Sequence, residues 1–121
     1  MAKNNPAPTA INFHKKSREL EITFDDDSTF RYSSEFLRVF SPSAEVRGHG
    51  PGQETLQVGK ENVNIENIEP VGNYAIKLVF TDKHDSGLYS WDLLYDYGNN
   101  MDAMWNNYLQ QLEKAGHERK A

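Results

Sequence analysis

The side chains best suited to metal binding or proton transfer are four histidines, at 14, 49, 84 and 117, and the carboxylates Asp82, Asp85 and Asp92. Imidazole and carboxylate are zinc ligands, and a local His-x-His or His-Glu-x-x-His pair would bring two of them to one ion. No such pair occurs in the chain. His49 and His84 would have to converge in space with Asp82 or Asp85, so they rank as secondary metal candidates. The simpler reading makes His84 a turn residue bonded to nearby backbone and His49 a solvent-exposed ring. Asp85 and Ser86 likewise suit turn and cap roles ahead of Tyr89 and Trp91. A Ser-His-Asp triad is defined by position in space, and no nucleophile–base pair stands at readable spacing. An enzyme built on Asp85, His84 or Tyr89 is therefore the last of the readings that the residues support.

The pentapeptide GHGPG, residues 48 to 52, invites comparison with a phosphate loop. Such a loop continues into Gly-Lys-Ser/Thr at the start of a helix. Here Gln53, Glu54 and Thr55 follow, and no strand leads into the glycines. A bend where glycine meets unusual backbone angles is the better description. Glu45, Arg47 and His49 make the 41–56 segment a polar contact surface. Its lack of period predicts a functional or mobile loop.

Composition narrows the classes. A net charge of −5 and no run of basic residues longer than two argue against nucleic-acid binding. Cysteine is absent, which excludes disulfides, thiolate zinc sites and a cysteine nucleophile. No apolar stretch approaches a membrane span or a signal sequence, so a cytoplasmic location is expected. A mean hydropathy of −0.78 is low, but 12% aromatic residues supply enough burial for one folded domain.

These residues need elements to hold them. Residues 1–10 show no period and predict a disordered lead; 11–116 read as one domain, and 117–121 as a frayed tail. Leu20, Ile22 and Phe24 alternate with polar residues, DDDS turns the chain, and Phe30 and Tyr32 follow on a second strand. Ser33 or Ser34 caps a helical turn presenting Phe36, Leu37 and Phe40. Val63 and Ile65 alternate, with Ile68 beyond a shift of phase. VGN turns into a strand whose face is Tyr74, Ile76, Leu78 and Phe80. Ser90 caps a short helix ending at Gly98, and Asn99 or Asn100 caps a last helix. That helix carries an apolar stripe from Met101 through Trp105, Tyr108, Leu109 and Leu112, with Gly116 just past its end. The expected fold is α+β: an antiparallel sheet of two hairpins covered by a C-terminal amphipathic helix.

The segments SRELEITF, EFLRVFSPSAEVRGHGPGQ, PVGNYAIKLVF, HDSGLYSWDLLYDYG and WNNYLQQLEKAG together resemble the gamma-butyrobetaine hydroxylase-like N-terminal domain family. The resemblance spans about residues 11 to 119 and implies a small bacterial domain of unknown function. In the carnitine-pathway dioxygenases the family's domain precedes a separate catalytic domain, which is not expected in this chain, and binds zinc through three cysteines and a histidine. The domain is also found joined to P-loop ATPases of the iron–sulfur carrier type. The resemblance places His84 at the zinc histidine and Ser41, Ser43 and neighbours at the cysteine positions. Without thiolates that zinc site is expected to be absent, and no cofactor is expected. Lys83 stands where the resemblance leads one to expect glycine.

The functional expectation is a non-catalytic binding or accessory domain, linked through the resemblance to iron–sulfur metabolism. Its partner would be a protein, with an iron–sulfur carrier ATPase as the implied class, and neither nucleic acid nor membrane. The expected surface comprises Glu45, Arg47, His49, His84, Asp85, Ser86, Tyr89 and Trp91. The alternative is a metal- or small-ligand-binding domain using His49 and His84. On this reading His84 tolerates alanine with little loss of stability, whereas Trp105, if fully buried, does not.

Overall fold

The computed structural model describes residues 6–43, 56–85 and 87–119. Eight elements follow in order: β1 (Pro8–His14), β2 (Glu19–Phe24), β3 (Thr29–Ser33), α1 (Ser34–Val39), β4 (Ile65–Val71), β5 (Ala75–Phe80), β6 (Leu88–Ser90) and α2 (Trp91–Lys114). They build two antiparallel three-stranded sheets, ordered β1-β2-β3 and β4-β5-β6. The α+β class and the two hairpins are as expected, and each hairpin gains a third strand.

The central strands carry the core. Leu20, Ile22 and Phe24 of β2 and Ile76, Leu78 and Phe80 of β5 are all buried. They meet Tyr32, Phe36, Leu37, Tyr89, Leu94 and Tyr97 in one cluster. The expected phase shift near Ile68 is real: pairing with β5 slips between Ile65 and Asn67, as a bulge does. Asn64, just before β4, ties the sheets together. Its side chain accepts from Ser34 Oγ at 3.1 Å and donates to the Lys15 carbonyl at 3.2 Å, and its own amide donates to Thr81 Oγ1 at 3.0 Å.

Three expectations are corrected. The unstructured lead ends sooner, because Pro8, Thr9 and Ala10 belong to β1, which pairs with β2. As an outer strand β1 is mostly exposed, so no alternation marks it. The two C-terminal helices are one, α2, running straight through Gly98. Gly98 serves close packing rather than termination, since a Cβ there would strike the Phe30 ring. Asn100 continues the helix and donates to the Asp96 carbonyl at 2.8 Å. Tyr74 lies outside β5 and is 57% exposed.

The caps behave as their residue types require. Ser33 accepts from the Phe36 amide at 2.9 Å, and Ser90 from the Leu93 amide at 3.1 Å. Past Ala115, Gly116 adopts φ +78°, and the His117 amide bonds back to the Leu112 carbonyl at 2.9 Å. The tail beyond is not frayed at Arg119, whose guanidinium pairs with the buried Glu35 of α1.

Candidate functional site

The turn from β5 to β6 carries Asp82, His84 and Asp85. Phe80 starts it: its amide accepts the chain's return by donating to the His84 carbonyl at 3.0 Å. Lys83 adopts φ 73°, a left-handed conformation that favours glycine. This bend folds His84 inward beneath the end of α1. His84 is 6% exposed, beside the Phe80 ring at 6.1 Å between centroids. It was expected in a polar turn; instead it is a buried link between two distant segments.

Its Nε2 lies 2.8 Å from Ser41 Oγ and 3.4 Å from Ser43 Oγ. Both serines are buried as well. Gly87 permits this approach, because a Cβ there would collide with Ser41 Oγ. The same geometry speaks against the expectation that His84 tolerates alanine: two buried hydroxyls bond to its imidazole.

Asp82 closes the other side of the corner. Its carboxylate accepts from Arg38 Nε at 2.8 Å, from Lys60 Nζ at 3.0 Å and from the His84 amide at 3.2 Å. Burial alone would raise its pKa, but the bonds from Lys60, Arg38 and the His84 amide outweigh that and hold it down at about 2. Arg38 also donates to Gln57 Oε1 at 3.0 Å. Among the described residues, no buried side-chain nitrogen or oxygen lacks a hydrogen-bond partner.

The expected surface residues therefore separate. Tyr89 is in the core, fully buried, and its hydroxyl donates to the Leu37 carbonyl at 2.5 Å. Burial pushes that hydroxyl's pKa well above the ordinary tyrosine range. Its neighbours on β6 are the exposed Leu88 and the half-buried Ser90, which is why a three-residue strand concealed an inward side chain. Asp85 is exposed, and Trp91 is half-buried with its indole donating to the Asn73 carbonyl at 2.9 Å. Glu45, Arg47, His49 and Ser86 lie outside the described residues. Sequence reading missed Arg38, whose role depends on a carboxylate far along the chain.

The convergence of Ser41, Ser43 and His84 allows a test of the implied zinc. Structural zinc is held by thiolate, imidazole or carboxylate in tetrahedral array. Here one imidazole meets two neutral hydroxyls, which are not among those ligands. Among the described residues, no group of three histidine or acidic side chains is placed to hold a metal. The set does not fit zinc; hydrogen bonds hold together what a metal would otherwise tie.

Among curated proteins no match is found. Two solution NMR structures are similar: one is 51% identical with a TM-score of 0.82, covering 98% of this chain and 90% of the other. The second is 47% identical, again with a TM-score of 0.82, over 95% and 90%. A crystal structure from Acidithiobacillus ferrooxidans ATCC 23270, a protein of unknown function in the DUF971 family, is 33% identical with a TM-score of 0.63, over 75% and 93%. The family described as gamma-butyrobetaine hydroxylase-like, N-terminal, matches residues 11–95. The match covers both sheets, α1 and the His84 corner, and the chain belongs to the gamma-butyrobetaine hydroxylase-like N-terminal domain family.

Proposed function

We propose that this chain is a non-catalytic accessory domain that binds a protein partner over the corner around Lys83 and Asp85. One observation carries the reading. The side chains with chemistry to offer there, Ser41, Ser43, His84 and Asp82, are engaged in bonds that fix the shape of the turn. What the turn shows to water is Lys83, with a side chain 79% exposed, and the exposed Asp85. A rigid turn with charged side chains outside suits recognition better than proton transfer. The family's fusions support an iron–sulfur carrier ATPase as the class of partner. The alternative use of His84 as a ligand is not favoured, because its Nε2 already faces two hydroxyls.

Titration calorimetry of the purified chain against a P-loop iron–sulfur carrier ATPase tests this. Saturable binding is expected, weakened at least tenfold by Lys83→Glu or Asp85→Lys with unchanged urea midpoints. An absence of binding with and without nucleotide sinks the partner class. Binding that neither variant alters sinks the surface.

A further inference from the structure

The opposite end of α1 holds a second cluster that the His84 corner does not use. Glu35 is 6% exposed and carries a carboxylate into the space between α1 and α2. Arg119 meets it in a two-pronged pair: Nε donates to Oε2 at 2.7 Å, and Nη2 donates to Oε1. The guanidinium carbon lies 5.3 Å from the centre of the Trp105 ring. Trp105 is held in turn by Tyr108 at 5.1 Å and Phe36 at 6.3 Å between ring centroids. A carboxylate with two oxygens aligned, under an aromatic face, is what a planar guanidinium selects. A lysine ammonium offers neither the fork nor the plane.

The ligand now in place is the chain's own Arg119, past the end of α2. Arg119 stands three residues past Gly116, and the α2 cap is closed without it by the amides of Gly116 and His117. Lifting the tail would leave that cap intact and uncover Glu35. The tail itself, His117, Glu118 and Arg119, walls a hollow of about 300 Å³ with Leu109, Leu112 and Glu113. Hydrogen bonding to Glu35 raises the Arg119 pKa, so the guanidinium keeps its charge.

We propose that Glu35 and Trp105 form a guanidinium-binding site, occupied in this chain by its own Arg119 and open by exchange to an arginine side chain of a partner protein. The competition makes the tail a built-in competitor: an arginine-bearing segment must displace it to dock. This site is separate from the surface proposed above, and either can fail without the other.

The full-length Arg119→Ala chain, in a Trp91→Phe background so that Trp105 is the sole indole, is titrated with the acetylated peptide GHERKA. Trp105 emission and backbone amide NMR shifts report binding, and circular dichroism checks the fold. A saturable change centred on Glu35 and Trp105 is expected, at least tenfold tighter for Arg119→Ala than for the chain with Arg119. Replacing the peptide's arginine by lysine should weaken binding at least tenfold, as should adding Glu35→Gln. If Glu35→Gln prevents folding, the lysine peptide and the NMR map decide alone. No saturable change in the folded Arg119→Ala chain, equal binding of the lysine peptide, or shifts confined to another face would each overturn the proposal.

Discussion

Helix α1 is tied down at both ends, and the two ties differ in kind. Its C-terminal end is joined to the β5–β6 turn by Arg38, Ser41 and Ser43, which meet Asp82 and His84 in several mutually supporting bonds. Its N-terminal end is joined to the tail by one cation, Arg119, on one carboxylate, Glu35. The first tie joins the buried residues Ser41, Ser43 and His84 and cannot be opened without disturbing the interior. The second depends on a side chain past the end of α2, beyond a cap that closes without it. Buried polar networks are valuable only when every member is satisfied, so the first should behave as a unit and the second as a removable contact.

The largest test of this difference is His84→Ala. It removes a ring from a buried place and takes a partner from each of the Ser41 and Ser43 hydroxyls. A loss of roughly 3–5 kcal/mol is expected from the cavity and the lost partners together. Urea unfolding measures it directly. A loss below about 1 kcal/mol would mean that the corner is not a unit and that His84 is the turn residue first supposed.

Arg119→Ala comes next, with an expected loss of about 1–2 kcal/mol. Its side chain is 29% exposed, and lifting it lets water reach Glu35, which limits the penalty of an unpaired charge. A cost equal to that of His84→Ala would make the tail a fixed structural strap and erase the contrast.

Acid should weaken the Asp82 corner. Asp82 is held at about 2, below the ordinary aspartate value of 3.8. A carboxylate with a depressed folded pKa stabilises the fold above the unfolded pKa, and that contribution disappears as pH falls toward the folded value. The shift corresponds to about 2 kcal/mol unscreened, but water reaches part of this residue, and about 1 kcal/mol is the reasonable expectation. Urea midpoints measured from pH 5 down to pH 2 should decline, and Asp82→Asn should flatten that decline while lowering the plateau. An unaltered pH profile in the variant would show that Asp82 carries no such contribution.

How much of this was legible in the sequence depends on the range of the interactions. β2 and β5 could be read because their buried residues alternate within a few positions, and Ser33, Ser90 and Gly116 because capping is local. Gly98 misled because its reason is the Phe30 ring, a contact that no local pattern records. β1 was only partly seen, since an exposed outer strand has no apolar period to display. The site followed the same rule. That His84 and the serines belong together came from the resemblance, while their burial, and the pairing of Glu35 with Arg119, required the fold. Trp105, expected to be critical if fully buried, is only partly so, and Leu109 on the same stripe is 37% exposed.

The smallest expected effect is a gain. Lys83 takes a left-handed conformation at φ 73° so that His84 can turn inward, and an L-residue there is strained by roughly 1–2 kcal/mol. Glycine relieves that strain but adds freedom to the unfolded chain, so Lys83→Gly should stabilise by about 0.5–1 kcal/mol net. Little is lost with the side chain: it is 79% exposed, and its 3.5 Å pair with a half-exposed Glu66 is of the kind that contributes little. Thermal and urea unfolding should both shift upward, and the Ser41–His84 bond should persist, visible as an unchanged imidazole environment in NMR. A drop in stability would mean that the lysine stem packs on the turn and that the permanent corner draws on its surface residues as well as on its buried ones.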